Sequence, residues 1–375
     1  MAYHGFPSFD EIYRLVDRFV AKNADIAHSD ALGVSEEGRE IKAVYVTDKS
    51  VPASEKQVAI VVCGRHGNEL GQRVVGNALL EWLSSAEGAE TRRRQLVIVV
   101  PVANPDGCVR NEFLAPHDGL SRVEQNTIAA LAQRHQPDAV IDVHSLKHTD
   151  VEAILTANTS DAGEDIFVHR MLAKNMAESA ARQGYPFLIE SVDLAGGYNN
   201  FFSGMCYERF HSIVFGMEVN HGSLGPREAA ESGVAAIKAL LDAGNIRHPW
   251  ELYTGYPNSI LAGDFFSSVR AVGRNPAERR ASRSELWQHR KSFAPLKRVV
   301  LDDGTINVVA AYSGEPLSCG FSMTCRTRGF PESAKARLNG EPVDVSCTYR
   351  DNCSTYVCVD INRLEQGEYE LSVEP

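Results

Sequence analysis

Residues 58–69 read VAIVVCGRHGNE and join an unbroken apolar run to a short polar turn. The run at residues 58–62 is rich in β-branched side chains, which is typical of a strand buried on both faces. Residues 70–83 then carry apolar side chains at helical spacing, so His66 and Glu69 lie where a strand becomes a helix. Side chains three positions apart on a helical turn project to one side, so this pair can bind one small cation. Nitrogen and oxygen ligands suit zinc, and the alternative is a helix cap beside a solvated acid.

Two further apolar runs each contain one candidate for the same site. Residues 138–145 (DAVIDVHS) include His144 near their end, and residues 212–219 (SIVFGMEV) include Glu218. The carboxyl ends of parallel strands meet at one edge of a sheet, so His144 can reach the first pair if its strand is a neighbour. It would be the third protein ligand that a catalytic zinc site needs. An acid in an apolar strand needs a cation, a partner or a chemical role, and we expect Glu218 to accept a proton from water rather than form a buried salt bridge.

These segments and their order resemble the zinc carboxypeptidases, whose relatives include the succinylglutamate desuccinylases and aspartoacylases. The resemblance covers roughly the first two thirds of the chain. It includes a glycine-arginine turn at residues 32–39 (LGVSEEGR), the first ligand pair at residues 66–69 (HGNE) and a strand-end segment at residues 104–107 (NPDG). His144 stands at the family's third ligand and Glu218 at its base. The resemblance therefore implies a hydrolase of peptide or amide bonds with Zn²⁺ as its cofactor.

The resemblance also implies a role for each matched residue. His66, Glu69 and His144 would bind zinc, and Glu218 would act as general base and later as general acid. Arg110 follows the NPDG segment and falls near the arginine that polarises the scissile carbonyl in the family. Asp142, two residues before His144, is a candidate acceptor that would orient a ligand histidine.

Two assignments around the substrate stay open. An exposed loop arginine is the alternative for Arg110, and Arg122 is then the second candidate for the carbonyl-polarising residue. In the family a tyrosine before the base strand often closes over the substrate. We prefer Tyr198, because it lies in the loop-like run GGYNN, over Tyr207, which adjoins the strand.

One departure from the family concerns the substrate carboxylate. Members that remove C-terminal residues usually carry an Asp-Leu-Asn-Arg segment that holds this group. Residues 110–124 read RNEFLAPHDGLSRVE and contain no such segment. The residues that could replace it are Arg110, Asn111, Arg122, Lys147 and Arg209.

The missing segment leaves three functions to compare. The first is a zinc-dependent peptidase or amidase acting on a small peptide or N-acyl amino acid, which the intact NPDG segment favours. The second is a desuccinylase-like or aspartoacylase-like deacylase of N-acyl amino acids, which the absent clamp favours. The third is a binding protein with a vestigial metal site, which the intact ligands and base disfavour.

Strand patterns that alternate with helical patterns predict an α/β fold with a mainly parallel, mixed sheet flanked by helices. From about residue 294 the pattern changes to short alternating runs separated by turns, which predicts a small all-β sandwich. We therefore predict a catalytic domain at residues 1–250, a connecting helical and loop segment at residues 251–293, and a β-sandwich domain at residues 294–375.

Composition excludes several classes of partner. A formal net charge of -11 disfavours nucleic acid and anionic membrane, since both attract basic surfaces. No apolar stretch is long enough for a membrane span. The N-terminal residues lack the basic start and apolar core of a signal peptide, so we expect a cytoplasmic enzyme. A homo-oligomer is compatible with this composition. The basic residues between 270 and 291 predict a solvated helix face at about residues 277–291, and an inter-domain or dimer contact is the alternative.

Overall fold

The structure is a computed structural model that describes residues 5–113, 122–147, 152–157, 165–192, 202–246, 259–261, 267–328, 334–345, 347–350 and 354–374. The chain divides into two compact units. Unit 1 consists of Met1–Ala162, His169–Glu208 and Ser212–His248, and unit 2 consists of Gly163–Val168, Arg209–His211 and Pro249–Pro375. The three-domain division expected from the sequence stays a prediction.

The elements up to residue 246 build one large sheet with helices. The strands are β1 (Ala27–Val34), β2 (Glu40–Val46), β3 (Gln57–Val62), β4 (Gln95–Val100), β5 (Ala139–Leu146), β6 (Glu152–Ala157), β7 (Phe187–Val192) and β8 (Ile213–Asn220). The helices are α1 (Phe9–Lys22), α2 (Gln72–Ser84), α3 (Ala89–Arg94), α4 (Pro105–Arg110), α5 (Arg122–His135), α6 (Asp165–Ala181), α7 (Phe202–Phe210) and α8 (Pro226–Ile246). Helix α1 begins at a capping box, in which Ser8 and Glu11 exchange hydrogen bonds.

The sheet order is β1-β2-β4-β3-β5-β8-β6-β7. Its centre is parallel, because β3 pairs in parallel with β4 and β5, and β5 pairs in parallel with β8. The pairs β1–β2, β2–β4 and β6–β8 are antiparallel. The predicted mixed, mainly parallel sheet flanked by helices is therefore confirmed. The carboxyl ends of β3, β5 and β8 lie side by side at one edge, where ligands of such sheets gather.

The C-terminal part is an antiparallel β region with one helix. Its elements are β9 (Ser259–Leu261), β10 (Ser267–Ala271), α9 (Pro276–Gln288), β11 (Lys297–Val300), β12 (Ile306–Tyr312), β13 (Phe321–Arg328), β14 (Lys335–Leu338), β15 (Glu341–Val343), β16 (Cys347–Arg350), β17 (Ser354–Ile361) and β18 (Gly367–Glu374). They form two five-stranded sheets, β16-β17-β13-β10-β9 and β11-β12-β18-β14-β15. The ring of Phe321 in the first sheet meets that of Tyr369 in the second, with centroids 5.0 Å apart.

The C-terminal β region contains a tight hairpin turn and a buried arginine. The Asn339-Gly340 turn joins β14 to β15. Both turn residues have positive φ, as this tight hairpin requires. Arg283 is buried in α9 and donates to the carbonyl of Phe210, although the sequence predicted a solvated helix face there. Six cysteines in the described part of the chain are buried free thiols.

Among the described helices, none combines the length and apolar character needed to cross a membrane.

Candidate functional site

The turn after β3 is shaped by two glycines, of which Gly64 lies against residues 101–102 and Gly67 against the NPDG segment. Gly64 has φ +70, and a Cβ there would come within 2.8 Å of the Cα of Val102. A Cβ on Gly67 would overlap the backbone of Gly107. Asn104 joins the two segments, since its side-chain amide donates to the carbonyl of Arg65 (3.1 Å) and its side-chain oxygen accepts from Gly107 (2.7 Å). Close packing of HGNE on NPDG therefore determines where the polar side chains of the turn point.

Two histidines and one glutamate converge at the edge where β3 and β5 end. The Nδ1 atom of His66 lies 2.6 Å from Oε1 of Glu69. The Nδ1 atom of His144 lies 3.2 Å from Nδ1 of His66 and 3.5 Å from Oε2 of Glu69. One potential ligand atom from each residue lies within 4.8 Å of the others, a spacing that could hold a metal ion. The structure thus brings together the three residues that the sequence predicted as ligands.

Neighbouring groups hold the glutamate carboxylate in place. Oε2 of Glu69 accepts hydrogen bonds from the backbone N–H of Ser145 (2.9 Å) and from the side-chain amide of Gln72 (3.2 Å). The hydroxyl of Ser145 in turn accepts from the N–H of Gly71 (3.0 Å) and is hydrogen-bonded to Nδ1 of His221. Such supporting contacts fix the orientation of a ligand before a metal binds.

A buried ion pair between Arg65 and Asp142 lies beside His144. The guanidinium of Arg65 donates to Oδ2 of Asp142, and Nε2 of His144 is 3.4 Å from Oδ1 of Asp142. All three residues are buried. Asp142 and His144 are two residues apart on β5, so their side chains share one face of the sheet. The sequence suggested Asp142 for this orienting role, whereas Arg65 was missed.

The charges of the cluster depend strongly on each other. Burial alone would raise the pKa of Glu69, yet its hydrogen bonds with His144 and His66 lower that pKa to about 2. Burial would lower the pKa of His144, but the carboxylates of Asp142 and Glu69 raise it to about 10. The carboxylates of Asp142 and Glu69 therefore stabilise a positive charge on His144, so their surroundings also suit a bound cation.

Glu218 lies directly beside His144 across the parallel pair β5–β8. Burial raises the pKa of Glu218 to about 7; repulsion by Glu69 and other carboxylates adds to this rise, and His144 opposes it. Its Oε2 atom is buried and has no hydrogen-bond partner among the described residues. A carboxyl group with this pKa can take up and release a proton near neutral pH.

The other predicted site residues have different surroundings. The side chain of Arg110 is 42% exposed and forms ion pairs with Glu37 and, at 3.7 Å, with Glu112. The side-chain oxygen of Asn111 accepts from Arg73 at 3.1 Å. Tyr198 and the side chain of Arg122 lie outside the described residues.

Two aromatic residues complete this comparison. Tyr207, the second tyrosine considered above, is fully buried in α7, and its ring packs edge-on against His169. Phe113, which the sequence did not single out, has its ring centroid 4.1 Å from that of His66 and is half exposed. A single phenylalanine after the NPDG segment carries no pattern that would have identified it.

Comparison with known proteins agrees with this geometry. The sequence profile of the zinc carboxypeptidase family matches residues 12–130. Carboxypeptidase A from Helicoverpa armigera is 14% identical, with a TM-score of 0.54 over 64% of this chain and 74% of that one. A metallo-carboxypeptidase from Burkholderia cenocepacia is 14% identical, with a TM-score of 0.55 over 63% of this chain and 69% of that one. One from Pseudomonas aeruginosa is 17% identical, with a TM-score of 0.52 over 64% of this chain and 69% of that one.

The fold is therefore carboxypeptidase-like, with a His-Glu-His group at the carboxyl ends of its central strands. The resemblance to the zinc carboxypeptidases that the sequence indicated is confirmed by the matched profile and by these structural neighbours. No curated protein sequence was found to match the chain.

Proposed function

We propose that the chain is a zinc-dependent hydrolase of peptide or related amide bonds, of the metallocarboxypeptidase type. His66, Glu69 and His144 bind the zinc ion, and Glu218 is the general base. The observation that carries this proposal is the convergence of two imidazoles and a carboxylate, with ligand atoms within 4.8 Å of one another, beside the strand that holds Glu218.

The donor set supports zinc over harder cations. Two imidazoles and one carboxylate are the ligand types of catalytic zinc sites, which keep a fourth position for water or substrate. Magnesium and calcium prefer oxygen ligands alone. The carboxylate of Glu69 is already oriented by Ser145 and Gln72, and His144 is oriented by Asp142. These neighbours support a site built to hold a metal rather than an accidental cluster.

Glu218 performs the proton transfers of the proposed reaction. Zinc, when bound, supplies Lewis acidity that polarises a carbonyl and favours deprotonation of water. The carboxylate of Glu218 accepts the proton of the attacking water and delivers it to the leaving amine. Its buried, unpartnered Oε2 leaves an acceptor available for this task. A general base in this position contributes roughly 10²–10⁴-fold to the rate.

The substrate class is a small peptide or an N-acyl amino acid. Arg110 is one candidate for binding the terminal carboxylate of a peptide substrate, but its guanidinium already forms an ion pair with Glu37. Together with the absence of an Asp-Leu-Asn-Arg segment, this favours a second candidate function, a deacylase of N-acyl amino acids related in chemistry to desuccinylases and aspartoacylases. Both functions use the same zinc ligands and the same base.

Zinc content and a substrate panel test the proposal together. The purified protein should hold about one zinc per chain, as a single three-ligand site implies. It should hydrolyse short peptides or N-acyl amino acids, and dependence on a free terminal carboxylate separates the carboxypeptidase from the deacylase. Glu218→Gln should keep the zinc and lose roughly 10²–10⁴-fold in kcat. Glu152→Gln is the matched control, because Glu152 is buried in the neighbouring strand but faces the opposite side of the sheet. A metal-free protein, or a Glu218→Gln variant with most of its activity, would contradict the proposal.

A further inference from the structure

His221 lies in the turn after β8, the strand that carries the proposed general base. The side-chain oxygen of Asn220 accepts a hydrogen bond from the N–H of Gly222 at 2.7 Å, which fixes the shape of this turn. The N–H of His221 donates to the carbonyl of Leu146 at 2.9 Å and so extends the pairing of β8 with β5. The backbone of His221 is therefore held at the end of β5.

The ring of His221 bonds to Ser145, the residue that follows the candidate ligand His144. Nδ1 of His221 is hydrogen-bonded to the hydroxyl of Ser145, which also accepts from the N–H of Gly71 at 3.0 Å. A hydroxyl has one hydrogen and two lone pairs, so it can bond to both groups at once. The absence of a side chain at Gly71 permits this approach, because a Cβ there would come within 2.7 Å of Oγ of Ser145. The buried hydroxyl is thus held from two sides.

Ser145 connects this contact to the candidate metal ligands. Its backbone N–H donates to Oε2 of Glu69 at 2.9 Å, and His144 directly precedes it on β5. A displacement of Ser145 would therefore move the donor that orients the carboxylate of Glu69. Removal of a group that orients a metal ligand typically weakens metal binding by about 10–100-fold.

We propose that His221 is a positioning residue that strengthens zinc binding by holding Ser145, and through it Glu69, in place. The inference rests on the proposed function, because it takes the His-Glu-His group as the zinc site. Ser145 and His144 are consecutive on β5, so their side chains project to opposite faces of the sheet. His221 therefore acts from the face away from Glu218 and needs no contact with zinc or substrate. It connects the strand of the base to the strand of the third ligand.

Chelator competition measures the zinc affinity of the full-length chain and its variants. His221→Phe keeps a ring beside that of Phe6, 6.3 Å away between centroids, but loses Nδ1. It should raise the dissociation constant of zinc about 10-fold, the lower end of the range, because His221 acts through another residue. His221→Asn keeps a group that can bond to the Ser145 hydroxyl and should recover most of the affinity. His28→Phe is the matched control, since His28 stacks on Tyr45 at 4.7 Å in the edge strand β1, and it should leave the affinity unchanged.

A double variant tests whether the effect passes through Ser145. Ser145→Ala removes the hydroxyl, so adding His221→Phe to it should weaken zinc binding no further. Amide hydrogen exchange of the metal-free protein provides a readout that does not depend on zinc. The amide of Gly71 should exchange faster in His221→Phe than in the parent chain, because its acceptor is no longer held, while exchange in β4 stays unchanged.

The outcomes separate this inference from the proposed function. A parent chain that binds no zinc would refute the proposed function and the role of His221 with it. A parent chain that binds zinc with an affinity that His221→Phe does not change would refute the role of His221 alone. The same holds if His28→Phe causes an equal loss, or if the losses in the double variant add.

Discussion

Glu152 should make the stability of the fold decline as the pH rises. It is buried at the start of β6, where it accepts a hydrogen bond from the hydroxyl of Ser232 in α8. Burial raises the pKa of Glu152 from its ordinary value of 4.5 to about 7, although hydrogen bonds from Ser232 and the backbone of Asn220 oppose that rise. The folded chain therefore retains a proton that the unfolded chain has already released.

The magnitude follows from the two pKa values. The contribution of protonated Glu152 to the free energy of unfolding is fully present below pH 4.5. It is lost as the pH rises through about 7, because the unfolded chain binds fewer protons than the folded chain in that range. Each pKa unit corresponds to about 1.4 kcal/mol, so the loss of unfolding free energy reaches about 3 kcal/mol above pH 7. Glutamine keeps the acceptor oxygen for Ser232 and does not ionise. Glu152→Gln should therefore remove this decline.

Urea denaturation of the parent chain and of the variant at several pH values measures the difference. The two proteins should have similar unfolding free energies near pH 5, and Glu152→Gln should be more stable by up to about 3 kcal/mol near pH 8. Glu36→Gln, at an exposed position, is the control for the loss of one carboxylate. A difference between parent and Glu152→Gln that is constant across this range would refute the reasoning.

Three other predictions concern the metal cluster. Asp142→Asn should weaken zinc binding by about 10–100-fold, because the acceptor that orients His144 loses its charge; chelator competition measures this, and an unchanged affinity would contradict it. His144→Ala should remove bound zinc along with activity, and elemental analysis that still finds a full complement would exclude His144 as a ligand. Gly67→Ala should cost about 1–3 kcal/mol and displace the HGNE turn, since a Cβ there overlaps Gly107. Equal Tm and zinc content in this variant and in the parent chain would argue against that close packing.

The central strands and the metal cluster could be predicted because their signals are local. A strand buried on both faces, such as β3, is apolar along its whole length and is visible without any knowledge of its neighbours. His66 and Glu69 are three residues apart, so their proximity follows from the turn itself. His144 and Glu218 stand out as polar residues within apolar strands.

Features that depend on distant or exposed partners could not be predicted. Strand β1 is mostly exposed at the edge of the sheet, so its residues AHSDALGV carry no apolar alternation. The ion pair between Arg65 and Asp142 joins the turn after β3 to β5, and neither residue alone indicates the other. Phe113 reaches His66 only because α4 ends beside the HGNE turn.

The register of β5 against β8 has a consequence for the order in which the site is assembled. The three candidate ligands come from β5 and the turn after β3, two strands that pair directly, whereas Glu218 comes from a strand made later in synthesis. A growing chain would have all its ligands before it has its base, so it could capture a metal ion before it could cleave a bond. The backbones of His144 and Glu218 are held next to each other by hydrogen bonds between adjacent strands, which lie about 4.8 Å apart. In the proposed hydrolase, activity would therefore begin only when β8 joins the sheet and brings Glu218 beside His144.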